Sequence, residues 1–254
     1  MAMVELPNGH KLYVVDQANS LVYVINTTSQ QVEQTLAVGA APSIALASPD
    51  SSAVYVMTSA GVSVIDALTD TVIGNLTASA QPTSITYDTH NNWLYVTDTA
   101  GGVSIFDTAV AGGTLPNTKF VEPAGFAPGA MSVAPLPNGN RFYVLGKTGA
   151  TSLTLTSVDS ATFAKKPSYS LDNLNLNGAP VAQVPQTCGA VQFRFMVGAS
   201  ADSGRVYVSS CDAGGTYIFQ TSDDTGVLML PSPNQPPLNG VFVPQNPVFL
   251  ITGR

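Results

Sequence analysis

The sequence has little charge of either sign. Only 10% of its 254 residues are charged, and its net charge is −7. Binding to a phosphate backbone needs clustered basic side chains, and the only adjacent basic pair is Lys165–Lys166, so we expect no nucleic-acid partner. No apolar run approaches the roughly 20 residues that span a bilayer, so we also expect no membrane span.

Histidine and catalytic motifs are scarce as well. The two histidines, His10 and His90, lie in turns of different repeats, and we interpret both as solvated turn residues. A metal site needs three or four converging ligands, and the sequence contains no such cluster. It also lacks the Gly-x-Ser-x-Gly motif of many serine hydrolases. These observations predict a protein that is not an enzyme and that carries no cofactor or metal.

Cysteine occurs only twice. Cys188 precedes the first strand of the fifth repeat and Cys211 follows its second strand, so an antiparallel hairpin brings the two towards each other. A disulfide needs Cα atoms within about 7 Å, which a fold-back of the residues after Cys188 allows. We predict a disulfide, which would imply an oxidising compartment. Two buried thiols are the alternative.

What the sequence does contain is a repeated phrase. A Tyr-Val pair follows a short polar turn five times, at successive spacings of 42, 40, 48 and 64 residues: Tyr13-Val14, Tyr55-Val56, Tyr95-Val96, Tyr143-Val144 and Tyr207-Val208. A period of about 40–45 residues with four short strands per unit is typical of a β-propeller blade. We therefore predict an all-β chain with almost no helix, built from four-stranded antiparallel blades.

The repeats divide the chain into one predicted propeller domain over residues 1–254. Its blades cover approximately residues 1–38, 39–79, 80–123, 124–175 and 187–230, and a Pro-rich linker with a closing strand covers residues 231–254. We expect this tail to pack against a terminal blade, because its apolar side chains would otherwise be exposed. Three acids at third-strand ends, Asp66, Asp107 and Asp159, are each followed by Thr or Ser, which predicts Asx-turns.

The phrases resemble those of the YVTN-repeat β-propellers of bacteria and archaea. The resemblance is carried by Tyr95-Val96-Thr97-Asp98 and Tyr55-Val56-Met57-Thr58, and by the flanking phrases Val38-Gly39-Ala40-Ala41-Pro42, Ser48-Pro49-Asp50 and Val64-Ile65-Asp66. It covers residues 1 to about 230 and implies a seven-bladed, exported propeller. The chain shows five repeats and a half, so either upstream blades are missing or the ring has fewer blades.

The candidate ligand contacts are few. Asp16, Asp98 and Asp212 occupy equivalent loops between second and third strands, where they would lie on one face and could bind a cation or sugar hydroxyls. Local hydrogen bonds to backbone N–H groups are the alternative role for these carboxylates. Arg194 is the one charge in an inner-strand position, where it faces either an anion in the channel or a neighbouring acid.

These features together predict a non-catalytic extracytoplasmic binding or scaffold protein whose ligand is an unidentified protein or carbohydrate. The low charge and abundant Thr, Ser, Asn and Gly favour a periplasmic, cell-surface or secreted location, with a signal peptide upstream of this chain. An open ring would also favour self-association. The alternatives are a propeller-type lactonase or other hydrolase, and a repeat module of a larger surface-layer protein.

Overall fold

The computed structural model describes residues 2–122, 130–147, 152–167, 169–172, 195–210 and 215–230. Over these residues the chain forms twenty β-strands and no helix. The strands form five separate four-stranded sheets, in each of which consecutive strands pair as an antiparallel meander. The predicted all-β fold with four-stranded antiparallel blades is therefore confirmed.

Each sheet is one blade, and the blades are numbered in chain order. Blade 1 contains β1 (Ala2–Glu5), β2 (Lys11–Asp16), β3 (Leu21–Asn26) and β4 (Gln31–Ala37). Blade 2 contains β5 (Ile44–Ala47), β6 (Ala53–Thr58), β7 (Gly61–Asp66) and β8 (Thr71–Leu76). Blade 3 contains β9 (Pro82–Asp88), β10 (Trp93–Asp98), β11 (Val103–Asp107) and β12 (Asn117–Glu122). Blade 4 contains β13 (Ala130–Pro135), β14 (Arg141–Lys147), β15 (Ser152–Asp159) and β16 (Tyr169–Asp172). Blade 5 contains β17 (Phe195–Ala199), β18 (Arg205–Ser210), β19 (Gly215–Gln220) and β20 (Thr225–Leu230).

The chain forms two compact units, residues 1–126 and 127–254. In the first unit, Tyr13 and Val15 of blade 1 share a buried cluster with Val54 and Val56 of blade 2. A second cluster joins blades 2 and 3 and includes Tyr55. These sheets bury their apolar faces against one another, as the alternation of their strands requires.

The second unit repeats this packing. Tyr143 and Leu145 of blade 4 share a cluster with Val206 and Val208 of blade 5. The tyrosine of the repeated phrase is almost completely buried in blades 1 to 4, at Tyr13, Tyr55, Tyr95 and Tyr143. In these four blades, the tyrosine of the repeated phrase is thus a core residue of the second strand.

The third strands end in the predicted turns. The Oδ1 atom of Asp66 accepts hydrogen bonds from the backbone N–H groups of Leu68 and Thr69, at 2.8 and 3.2 Å. Asp107 accepts one from Ala109 in the same way, and Asp159 accepts from Ala161 and Thr162. The Asx-turn prediction is confirmed at all three positions.

A register shift also recurs between the third and fourth strands. It lies between Val24 and Ile25 in blade 1, and at the equivalent pair of residues in blades 2, 3 and 5. An extra residue of this kind bends the strand that carries it and increases the local twist. The fourth strand of these four blades therefore bends at the same place in the repeat, although the residue types at that place differ.

Candidate functional site

Two clusters of polar side chains join neighbouring blades within the described residues. The first inter-blade cluster consists of Lys11, Tyr13 and Asp70 and joins blades 1 and 2. The Lys11 Nζ atom lies 2.7 Å from Asp70 Oδ2 and also donates to the carbonyl oxygen of Ala67, at 3.1 Å. The Tyr13 hydroxyl donates to Asp70 Oδ1 at 2.8 Å. One carboxylate in the third-to-fourth-strand turn of blade 2 thus binds two side chains from β2.

The second inter-blade cluster repeats this arrangement between blades 4 and 5 and consists of Arg141, Tyr143 and Asp224. Arg141 Nη1 lies 3.2 Å from both oxygens of Asp224, and Arg141 Nη2 donates to the carbonyl oxygen of Thr221. The Tyr143 hydroxyl donates to Asp224 Oδ1, and Lys166 Nζ lies 3.0 Å from Asp224 Oδ2. The cation, the tyrosine and the acid occupy the same positions in the repeat as those of the first cluster.

Each acid ends its turn in the left-handed backbone region, with φ of 50° at Asp70 and 60° at Asp224. Aspartate tolerates this conformation better than most residues because its short polar side chain bonds locally. The turn thereby aims the carboxylate back towards the preceding blade. The sequence contains a signal for the cations, because Lys11 and Arg141 occupy the same place in the matching phrases Leu6–Val14 and Leu136–Val144.

Blades 2 and 3 are joined differently. Ala53 stands where blades 1 and 4 have their cation, and the third-to-fourth-strand connection of blade 3 is longer. The ring of Tyr55 packs on that of Tyr87 with 6.1 Å between centroids, and the Tyr87 hydroxyl hydrogen-bonds to Thr108 Oγ1 at 2.7 Å. The ring contact between Tyr55 and Tyr87 crosses this junction, and the hydrogen bond between Tyr87 and Thr108 lies within blade 3.

Burial raises the pKa of five tyrosines far above its usual range: Tyr13, Tyr55, Tyr95, Tyr143 and Tyr217. The hydrogen bond to an aspartate raises the pKa of Tyr13 and Tyr143 further, because ionisation would place two negative charges side by side. These hydroxyls therefore remain protonated donors in the folded protein at any ordinary pH.

This shift predicts alkaline unfolding. The folded pKa lies above the unfolded value of about 10, so the stabilisation is complete below pH 10 and is lost as the pH rises further. We expect absorbance at 295 nm to show a group of tyrosines that ionise only together with loss of the β-sheet circular dichroism signal. Titration of all nine tyrosines near pH 10 with the sheet signal intact would contradict this interpretation.

The candidate ligand contacts that lie within the described residues differ in environment. Asp16 Oδ1 accepts hydrogen bonds from the N–H groups of Ala18 and Asn19, and its Oδ2 accepts from Asn19 Nδ2 at 2.7 Å. The bonds from Asn19 lower the pKa of the Asp16 carboxyl. Asp98 holds an equivalent turn, but its side chain is only 1% exposed. The structure thus places Asp16 near solvent and Asp98 in the interior.

Four predicted residues lie outside the described residues: Asp212, Arg194, Cys188 and Cys211. Both histidines are exposed turn residues, as predicted. Within the described part of the chain, no group of three or more His, Cys, Asp or Glu side chains is placed to hold a metal ion. Those residues also include no helix long and apolar enough to cross a membrane.

No protein-family model and no curated protein matches the chain. Solved structures match in fold. Hydrazine synthase from Kuenenia stuttgartiensis has a TM-score of 0.58 at 14% identity, over 91% of this chain and 86% of that one. The dihydro-heme d1 dehydrogenase NirN, solved in complex with DHE, has a TM-score of 0.63 at 12% identity, over 89% of this chain and 46% of that one. Both are β-propeller proteins, and the likeness identifies the fold of this chain as a β-propeller.

Proposed function

We propose that this chain is a non-catalytic β-propeller of the YVTN-repeat type that serves as a binding or scaffold protein. The observation that carries the proposal is the use of polar side chains within the described blades. The charged and phenolic groups that could take part in catalysis are instead bonded to one another across two blade junctions. Lys11 binds Asp70 at the junction of blades 1 and 2, and Arg141 and Tyr143 bind Asp224 at the junction of blades 4 and 5. Side chains that are hydrogen-bonded across a junction hold neighbouring blades together. A rigid scaffold that presents loops at its surface is a common basis for binding.

The proposed location is extracytoplasmic, at the cell surface, in the periplasm or secreted. The composition supports this, because charged residues make up only 10% of the chain and the turns are formed by Ser, Thr, Asn and Asp. The proposed ligand is a protein or a carbohydrate, whose hydroxyl and amide groups such loops can hydrogen-bond. A role as one repeat module of a larger surface protein is compatible with the same features.

A catalytic role is the second candidate, favoured by one specific observation. Both of the structural neighbours reported above are named as enzymes. For this chain the corresponding hypothesis is a propeller-type lactonase or other hydrolase, which would need a metal or a carboxylate at the end of a second strand. Asp98 is the described acid that such a site would use, and Asp16 is its half-buried counterpart in blade 1.

A lactone screen with and without added divalent metals separates the two candidates. The proposed function predicts no turnover above that of buffer for the wild type in any metal. Asp98→Asn and the matched Asp16→Asn variant are compared only if turnover is found. Metal-dependent hydrolysis that Asp98→Asn abolishes and Asp16→Asn retains would replace the binding role with the catalytic one.

A further inference from the structure

The two inter-blade clusters bind the same kind of β-turn. In the first cluster, Lys11 Nζ donates to the carbonyl oxygen of Ala67 and lies against the carboxylate of Asp70, three residues further along the turn. Tyr13, two residues after Lys11 on the same strand, donates its hydroxyl to that carboxylate. A cation and a tyrosine thus form a site for a turn that carries an aspartate.

The second cluster has the same arrangement with arginine as its cation. Arg141 donates to the carbonyl oxygen of Thr221 and to the carboxylate of Asp224, which are again three residues apart. Tyr143 donates its hydroxyl to the same carboxylate. The same pair of donor positions therefore binds the same turn positions at two separate junctions.

Blade 5 carries this pair of donors on the face that points away from blade 4. Arg205 is the first residue of the second strand, as the cation is in each cluster, and Tyr207 follows two residues later. Val206 and Val208 pack into the core shared with blade 4. Because side chains alternate along a strand, Arg205 and Tyr207 lie on the opposite face.

No acceptor for this pair lies in the described part of the chain. Neither the Arg205 guanidinium nor the Tyr207 hydroxyl takes part in an ion pair or hydrogen bond there. Arg205 is exposed and Tyr207 is half-buried, whereas the tyrosines of the two filled clusters are at most 1% exposed. Blade 5 therefore presents both donors of the recurring site without the turn that binds them.

The nearest acid in sequence is engaged elsewhere. Asp202 Oδ1 accepts hydrogen bonds from the Ser200 hydroxyl and from the Gly204 N–H. The bond from Ser200 is the main cause that lowers the pKa of the Asp202 carboxyl, and the charge of Arg205 lowers it further. Asp202 thus holds its own turn, and it forms no ion pair with Arg205 in the described structure.

The sequence disfavours two other sources of the acid. Residues 231–254, which follow blade 5, contain no Asp or Glu. A second copy of the chain would offer the matching turn of its first blade, where Gln30, with φ of 58°, occupies the place of Asp70 and Asp224. A guanidinium binds a carboxylate more strongly than a neutral amide. An aspartate on another polypeptide is therefore the acceptor that suits this site.

We propose that Arg205 and Tyr207 form a docking site for an aspartate-bearing β-turn of another polypeptide. Arg205 donates to a carbonyl oxygen and to the carboxylate of that turn, and Tyr207 donates to the same carboxylate. The proposal rests on the proposed binding role, for which it names a surface and the chemistry of the partner. The contact involves exposed charges, so salt should weaken it.

The test is a nuclear magnetic resonance titration of the full chain with a cyclised peptide that carries residues 220–225, the turn that fills the second cluster. We expect the side-chain signals of Arg205 and Tyr207 to shift saturably, with a dissociation constant on the order of 1 mM for so small a contact. A peptide with Asn in place of Asp224 should bind at least about tenfold more weakly, because the charge-assisted hydrogen bonds are lost.

Variants of the protein identify the two donors. Arg205→Met should weaken peptide binding about tenfold, and Tyr207→Phe about threefold. Arg205→Lys should stay within about threefold of wild type, because Lys11 fills the same place in the first cluster. Lys165→Met is the control, since it removes an exposed cation from the connection between β15 and β16 and should leave peptide binding unchanged.

Three results overturn the proposal: no saturable shift in the wild type at about ten times the expected dissociation constant, equal affinities for the Asp and Asn peptides, or wild-type affinity in Arg205→Met. Self-association of the wild type that Arg205→Met removes would also overturn it, since a second copy would then be the partner. Failure here leaves the lactone screen unaffected, so it is distinguishable from failure of the proposed function.

Discussion

Replacing Asp224 with alanine is expected to lower the free energy of unfolding by about 3–5 kcal/mol. The change removes the one carboxylate that Arg141, Tyr143 and Lys166 share, and it leaves the partly buried Arg141 guanidinium without its ion-pair partner. Truncating one partner of a buried pair is costly because the other charge remains in a low-dielectric environment. Urea unfolding followed by circular dichroism measures the loss.

The adjacent acid provides a matched control. Asp223 is exposed and bonds only locally in the described structure, to the N–H and hydroxyl of Thr225. Asp223→Ala should therefore cost about 1 kcal/mol or less, because both of its local hydrogen bonds are exposed to water. Equal losses of unfolding free energy in the two variants would show that the contacts of Asp224 with the neighbouring blade do not stabilise the protein.

Replacing Gly61 with alanine is expected to destabilise the protein by about 3 kcal/mol or more. A Cβ atom at this position would lie 2.2 Å from the carbonyl oxygen of Leu76. That oxygen belongs to the backbone of β8, which is held in register against Val62, so it cannot move aside as a flexible side chain would. Thermal unfolding of the variant should show a melting temperature lower by several degrees.

Gly112 is the control for this substitution, since a Cβ atom there would meet no atom within 4 Å. Gly112→Ala should leave the free energy of unfolding within about 0.5 kcal/mol of wild type. A Gly61→Ala protein as stable as Gly112→Ala would mean that β7 and β8 approach each other less closely than the structure shows.

Local features of the fold could be predicted from the sequence. The Tyr-Val phrase identified the second strands because it recurs at a blade-like period, and Asp66, Asp107 and Asp159 predicted Asx-turns because their partners lie only two or three residues away. The first blade illustrates the limit of the pattern. From the sequence, only Met3 and Val4 are expected to belong to its inner strand, whereas the structure gives a four-residue strand, Ala2–Glu5.

The inter-blade clusters could not be predicted, because the partners are far apart in sequence. Asp70 is 59 residues from Lys11, and Asp224 is 83 residues from Arg141. Lys11 and Arg141 share a position in matching phrases, but only the packing of one blade on the next brings the turn acids to them. Asp16 and Asp98 show the converse: their places in the repeat are equivalent, yet blade packing leaves one near solvent and buries the other.

In the second inter-blade cluster, a shared carboxylate couples the cation of one blade to the turn of the next. A double-mutant cycle with Arg141→Met, Asp224→Ala and the combined variant tests it most directly, with unfolding free energies from urea denaturation. We predict that the double variant is more stable than the sum of the single losses requires, with a coupling energy of about 1–3 kcal/mol. Losses that add within about 0.5 kcal/mol would contradict the claim.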